Sequence, residues 1–163
     1  MKNLLIALFL ITQITFATEK LTDYNAVKFY DGVAYKKGSS EPYTGILEYY
    51  VSHPRSTITT EFINGLKEGR ETQVLVDGTL HEESFYSNGK FLESKIYYSP
   101  EKIMEHEVVS GDRLNETFYD KDGKVSYVKT YLIINNKRAM DGLQVFYNKK
   151  GDISTTWEMN IIV

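Results

Sequence analysis

Turn-forming residues recur along this chain about every 11 to 13 positions, which restricts each segment between them to a short strand. Five of the turns follow a pair of aromatic residues. Tyr49-Tyr50 leads to His53-Pro54, Phe85-Tyr86 to Asn88-Gly89, Tyr97-Tyr98 to Ser99-Pro100, Phe118-Tyr119 to Asp122-Gly123, and Phe146-Tyr147 to Lys150-Gly151. Further turn signals stand at Asp31-Gly32, Gly38-Ser39-Ser40, Asn64-Gly65, Asp77-Gly78, Ser110-Gly111 and Asn135-Asn136. Asn-Gly and Asp-Gly favour two-residue hairpin turns, because both central residues take positive φ at small cost. None of the intervals leaves room for an ordinary helix. Only Leu21 to Lys28 reads either as a short helix or as an entry strand.

The segments themselves carry strand patterns. Ile153, Thr155, Trp157, Met159 and Ile161 alternate with Ser154, Thr156, Glu158 and Asn160, giving one apolar and one polar face. From Val125 to Ile134 both faces carry apolar residues, as in a strand covered on two sides. The expectation is an all-β protein, an elongated single-layer antiparallel meander of repeated β-hairpins with roughly ten strands. A sheet that long must twist or curl, and its edges need protection. The final segment, ending Asn160-Ile161-Ile162-Val163, is apolar and is expected to pair with a second copy or with a partner's strand.

Composition sets the compartment and the partners. Lys2 precedes an apolar run from Leu4 to Ile11, and Thr15-Phe16-Ala17 supplies small residues for a signal peptidase. Even extended to Phe16, that run is only about 13 residues, against about 20 for a membrane-spanning helix. Residues 1–17 therefore read as a cleaved signal peptide, and residues 18–163 as one repeat domain that is periplasmic, extracellular or at the cell surface. The formal charge of −3 becomes −4 once Lys2 is removed. That mild acidity argues against nucleic acid and against strong membrane-lipid binding, since both need a dense basic patch. There is no cysteine, so an exported domain must be held by packing and sheet hydrogen bonds alone.

Within this pattern "EPYTGILEYY" (residues 41–50), "FINGLKEGRE" (62–71), "FYSNGKFLE" (85–93) and "FYDKDGKV" (118–125) resemble the bacterial variant of the MORN repeat. Gly45, Tyr49-Tyr50, Asn64-Gly65, Lys67 and Gly69 follow the pattern over one unit of about 24 residues. Val74-Leu75-Val76 departs from it in the second unit, and Glu93 and Asn115 stand where later units carry the repeat glycine. The resemblance implies a single-layer meander that binds or scaffolds. Many relatives of this type carry an antitoxin label, so neutralising an envelope toxin is one expectation.

The candidate site is a row of rings. Neighbouring strand residues face opposite ways, so one member of each aromatic pair is expected inside and the other outside. Polarity selects Tyr50, Tyr86, Tyr98, Tyr119 and Tyr147 as the exposed, partner-binding row, with Tyr49, Phe85, Tyr97, Phe118 and Phe146 buried. Exposed tyrosines suit a protein partner and also sugar rings.

Signatures of catalysis, metals and cofactors are missing. Asp120-Lys121-Asp122-Gly123 fails as a calcium loop, because Phe118 and Lys129 stand where carboxylates are required. His53, His81 and His106 lie in different units, and His81-Glu82-Glu83 and Glu105-His106-Glu107 read as solvated strand faces. Glu82 and Glu83 point to opposite faces and cannot share a substrate. The expected function is a non-catalytic protein-binding or surface-interaction module without cofactor or metal. An antitoxin-like or immunity protein and a carbohydrate-binding protein are the alternatives.

Overall fold

The computed structural model describes residues 18–135 and 137–160. The signal-peptide expectation for residues 1–17, and the Ile161-Ile162-Val163 end of the expected edge strand, lie outside the described residues. The strands are β1 (Lys20–Leu21), β2 (Val27–Tyr30), β3 (Val33–Lys36), β4 (Gly45–Ser52), β5 (Arg55–Ile63), β6 (Leu66–Lys67), β7 (Gly69–Leu75) and β8 (Leu80–Ser87). They continue as β9 (Lys90–Ser99), β10 (Lys102–Ser110), β11 (Arg113–Tyr119), β12 (Val125–Ile134), β13 (Lys137–Met140), β14 (Gly142–Tyr147) and β15 (Ile153–Met159).

One sheet runs β1-β4-β5-β7-β8-β9-β10-β11-β12-β14-β15, with β6 beside β5 and β13 beside β12. It is an all-β meander of successive hairpins. Every pairing is antiparallel except that of β1 with β4, which is parallel. Leu21 to Lys28 contains both of the forms expected for it. β1 gives way to a 3-10 turn (Tyr24–Ala26), in which the Asp23 carboxylate accepts from the Asn25 N–H at 2.8 Å, and β2 follows.

Two Asn-Gly turns have the expected form, a two-residue loop with both φ angles positive. Asn64 (51°) and Gly65 (78°) form one, Asn88 (48°) and Gly89 (75°) another. Asp77-Gly78 and Asp122-Gly123 do not follow that expectation, since only their glycines have positive φ. There the loop is longer, closed by Leu75 N–H to the Thr79 carbonyl and by Asp120 N–H to the Lys124 carbonyl, both 2.8 Å.

A repeat of 24 residues is visible in the hydrogen bonds. Gly65 N–H donates to the Tyr43 carbonyl (2.7 Å) and Asn64 N–H to Thr44 Oγ1 (2.9 Å). One unit on, Gly89 N–H donates to the Lys67 carbonyl (2.9 Å) and Asn88 N–H to a Glu68 carboxylate oxygen (2.7 Å). Each hairpin tip is thus fastened to the chain entering the unit before it. Glycine is required at the first tip, because a Cβ on Gly65 would lie 2.3 Å from Val33 Cγ1 and 2.7 Å from the Ala34 carbonyl oxygen.

Strand register divides the side chains between two faces. Leu47, Thr60, Phe62, Ser84, Ser94, Glu107, Leu114 and Glu116 all fall on one of them, and all are buried. Among the described residues, extensive contacts along the sheet run only between neighbouring strands, so no second described layer lies over the middle of this face. These groups are covered by longer side chains from neighbouring strands, as Arg138 covers Glu107. We call this the inner face. At its N-terminal end β2, β3 and the 3-10 turn cap it, and Val27, Ala34, Tyr43, Leu47 and Phe62 form the hydrophobic core. Burying Leu47 and Phe62 contributes about 1.5–3 kcal/mol each.

Candidate functional site on the inner face

The inner face carries two polar centres and a run of rings. Nearest the cap, Tyr24, Phe29, Leu47, Tyr49, Thr60, Phe62, Lys67 and Glu71 enclose a pocket of about 240 Å³. Its wall is aromatic, with the Tyr24 and Tyr49 rings 4.9 Å apart and Tyr24 stacked on Phe29 at 6.1 Å. Its polar side is built around Glu71, which pairs with Lys67 at 2.5 Å and accepts from Thr60 Oγ1 at the same distance. Burial works against a charge on Lys67, yet Glu71 holds its pKa above the ordinary lysine value. The ammonium also lies over the Tyr86 ring, 4.6 Å from its centre.

Further along, β10 and β11 bring Glu105, Glu107 and Glu116 together, with carboxylate oxygens of all three within 4.8 Å of one another. Glu107 and Glu116 are direct cross-strand partners, only 6% and 7% exposed. Two like charges so placed repel unless compensated. Glu116 is matched by Lys129 Nζ at 3.2 Å and by the Tyr131 hydroxyl, which donates at 2.9 Å. Glu107 receives both terminal nitrogens of Arg138 and the Ser94 hydroxyl (3.2 Å). Arg138 belongs to β13, three strand spacings away, so its side chain lies across β11 and β12 over the inner face. Among the described residues, no cation forms an ion pair with Glu105, and Lys129 and Arg138 pair with its neighbours. Burial, then the Glu116 and Glu107 charges, push its pKa up to about 7. Beyond this cluster Phe118, Tyr127, Phe146 and Trp157 form a continuous run of rings, with successive centres 5.7, 4.1 and 5.4 Å apart.

The five expected exposed tyrosines do not form one row. Tyr50 is open on the outer face and Tyr98 is also exposed, donating from its hydroxyl to the Tyr119 carbonyl at 3.1 Å. Tyr119 and Tyr147 are half-buried, and each sits at a register shift in its strand pair, next to Phe118 and Phe146. Tyr86 is the correction. It pairs with Gly69 on the inner face, as Phe62 pairs with Gly45 one repeat earlier. Its place in the 24-residue unit decides its direction, and polarity does not. The aromatic residue two positions before Asn-Gly, in Phe62-Ile63-Asn64-Gly65 and Tyr86-Ser87-Asn88-Gly89, is the signal that identifies it.

The partners expected to be buried are also redistributed. Tyr49, Phe118 and Phe146 face inward but are only half-buried. Phe85 and Tyr97 stand on the outer face, where the Tyr97 hydroxyl donates to Glu83. Burial, then Glu83, push the Tyr97 hydroxyl up to about 12.

Glu105-His106-Glu107 is likewise not a solvated face throughout. His106 meets Glu93 at 2.8 Å on the outer face, whereas Glu107 is buried on the inner one. Glu82 and Glu83 do part as expected: Glu82 lines a small inner cavity with Ile58, Glu71, Gln73 and Ser84, and Glu83 pairs with Arg70 at 2.8 Å outside.

The edge of the sheet completes the inventory of surfaces. All seven residues of β15 are exposed, with Ile153 at 61% and Trp157 at 60%, and Leu143 on the neighbouring β14 is exposed as well. Comparison with known proteins gives no match to a family model, to a curated protein or to a solved structure.

Proposed function

We propose that this chain is an exported, non-catalytic binding module of the MORN-like type, and that it captures a protein partner at the β15 edge of its sheet. The observation that carries the reading is the exposure of Ile153, Trp157 and Met159 on the outermost described strand. Sheet edges are ordinarily blunted by lysine, proline, bulging or a covering element. β15 has a single charged residue, Glu158, and no lysine or proline; it bulges only at its start, between Ile153 and Thr155, and its only pairing among the described residues is with β14. A strand of this kind suits addition of a partner's strand, with main-chain hydrogen bonds giving affinity and the exposed side chains giving specificity. Tyr50 and Tyr98 supply further exposed ring area on the same module. Toxin neutralisation is the same reading with a toxin as the partner.

The test is affinity capture from envelope extract with the native chain and with two variants. Ile153→Lys/Trp157→Lys places charge along the edge, and Tyr50→Ser/Tyr98→Ser removes two exposed rings. The expected result is one stoichiometric protein, lost with the edge variant and weakened with the tyrosine variant. Equal capture by the edge variant would refute the edge reading.

A further inference from the structure

We propose that the pocket beneath the cap is a second binding site, independent of the β15 edge, and that it takes a neutral pyranose ring, a single sugar unit. The pocket's aromatic wall offers exposed rings at Tyr24 and Phe29 and a half-buried one at Tyr49. Flat rings of this kind pack against a ligand that presents an apolar face. The opposite side is polar but balanced, because Lys67 and Glu71 neutralise each other within the pocket. A cationic ligand would meet the Lys67 ammonium, and an anionic one would meet the Glu71 carboxylate. A purely apolar ring would strip water from the ion pair and return no hydrogen bond, which is unfavourable.

The ligand that satisfies both sides has an apolar ring face and a rim of groups that donate and accept. Hydroxyls on a pyranose can accept from Lys67 and donate to Glu71 or Thr60. Ligand pockets for drug-sized molecules run from about 300 to 1,000 Å³. At about 240 Å³ this one suits one ring. Glu71 also lines the adjoining cavity with Ile58, Gln73, Glu82 and Ser84, so a substituent on the ring would lead along the inner face.

Titration of the full chain with methyl pyranosides of the gluco, galacto, manno and N-acetylglucosamine series, read by saturation-transfer NMR and calorimetry, tests this. Mannitol serves as the open-chain control and p-cresol as the apolar-ring control. One pyranoside should saturate with a dissociation constant on the order of 1 mM, as a ligand of this size allows. Mannitol and p-cresol should bind at least tenfold more weakly. Tyr24→Ala, at an exposed position, should weaken the pyranoside at least tenfold while the chain keeps its β-sheet circular dichroism spectrum, and Tyr50→Ala on the outer face should leave the affinity unchanged. No saturation by any pyranoside up to about 50 mM, which is far weaker than this pocket chemistry implies, would overturn the proposal. So would an unaltered affinity in Tyr24→Ala, or tighter binding of p-cresol or mannitol.

Discussion

Glu105 is the residue whose protonation the fold controls most directly. Its pKa is about 7 in the native chain against an ordinary 4.5, because burial and two neighbouring carboxylates disfavour its charge. The native state therefore holds a proton that the unfolded state releases, and this group makes stability fall as pH rises from about 4.5 to about 7. Below that window both states are protonated and the residue contributes no slope. Glu105→Gln should flatten this part of the stability profile and leave the protein more stable than the native chain at pH 8, by urea unfolding across pH. An unchanged slope would show that Glu105 is not held protonated.

A second residue-scale test compares two glycines. Gly65→Ala combines positive φ with a backbone clash and should cost about 2–4 kcal/mol. Gly78→Ala, with positive φ but nothing within 4 Å of the added carbon, should cost about 1 kcal/mol. Equal losses in urea denaturation would mean that the Gly65 tip is not pressed against β3.

At the scale of the element, the β12–β13 hairpin is tied to β10 by one side chain. Arg138→Met removes the guanidinium that compensates Glu107 beside Glu116, and should destabilise the fold by about 1–3 kcal/mol at pH 7. Adding Glu107→Gln should recover part of that loss, since it removes the charge left unpaired. A double-mutant cycle with no coupling between the two positions would contradict the tie.

The elements also show what was legible beforehand. Strand segments and an all-β meander could be read from the turn residues, because Asn-Gly and Asp-Gly act locally. The direction of Tyr86 was readable too, though only from the 24-residue spacing to Phe62 and not from its hydroxyl. The carboxylate cluster was not readable. Glu107 meets Glu116 through the register between strands, and Arg138 reaches them from 31 residues away along the chain. No local pattern encodes either distance.

For the whole molecule, mutual cover among the side chains on one face of the sheet does what a second layer does in other all-β proteins. It buries Ser84, Ser94, Glu107 and Glu116 on the inner face and leaves the outer face and β15 open. The sheet ends at β1, which pairs with β4 over two residues, and at β15, and no described strand pairs with the outer side of either. Of the two edges β15 is the longer and the more exposed, and under the proposed function it is the one to which a partner's strand adds. Hydrogen exchange of the chain alone and bound to its captured partner tests that claim most directly. The account predicts that backbone amides of Ile153–Met159 exchange readily in the free chain and become protected in the complex. Protection confined to β1 and β4, with β15 unchanged, would contradict it.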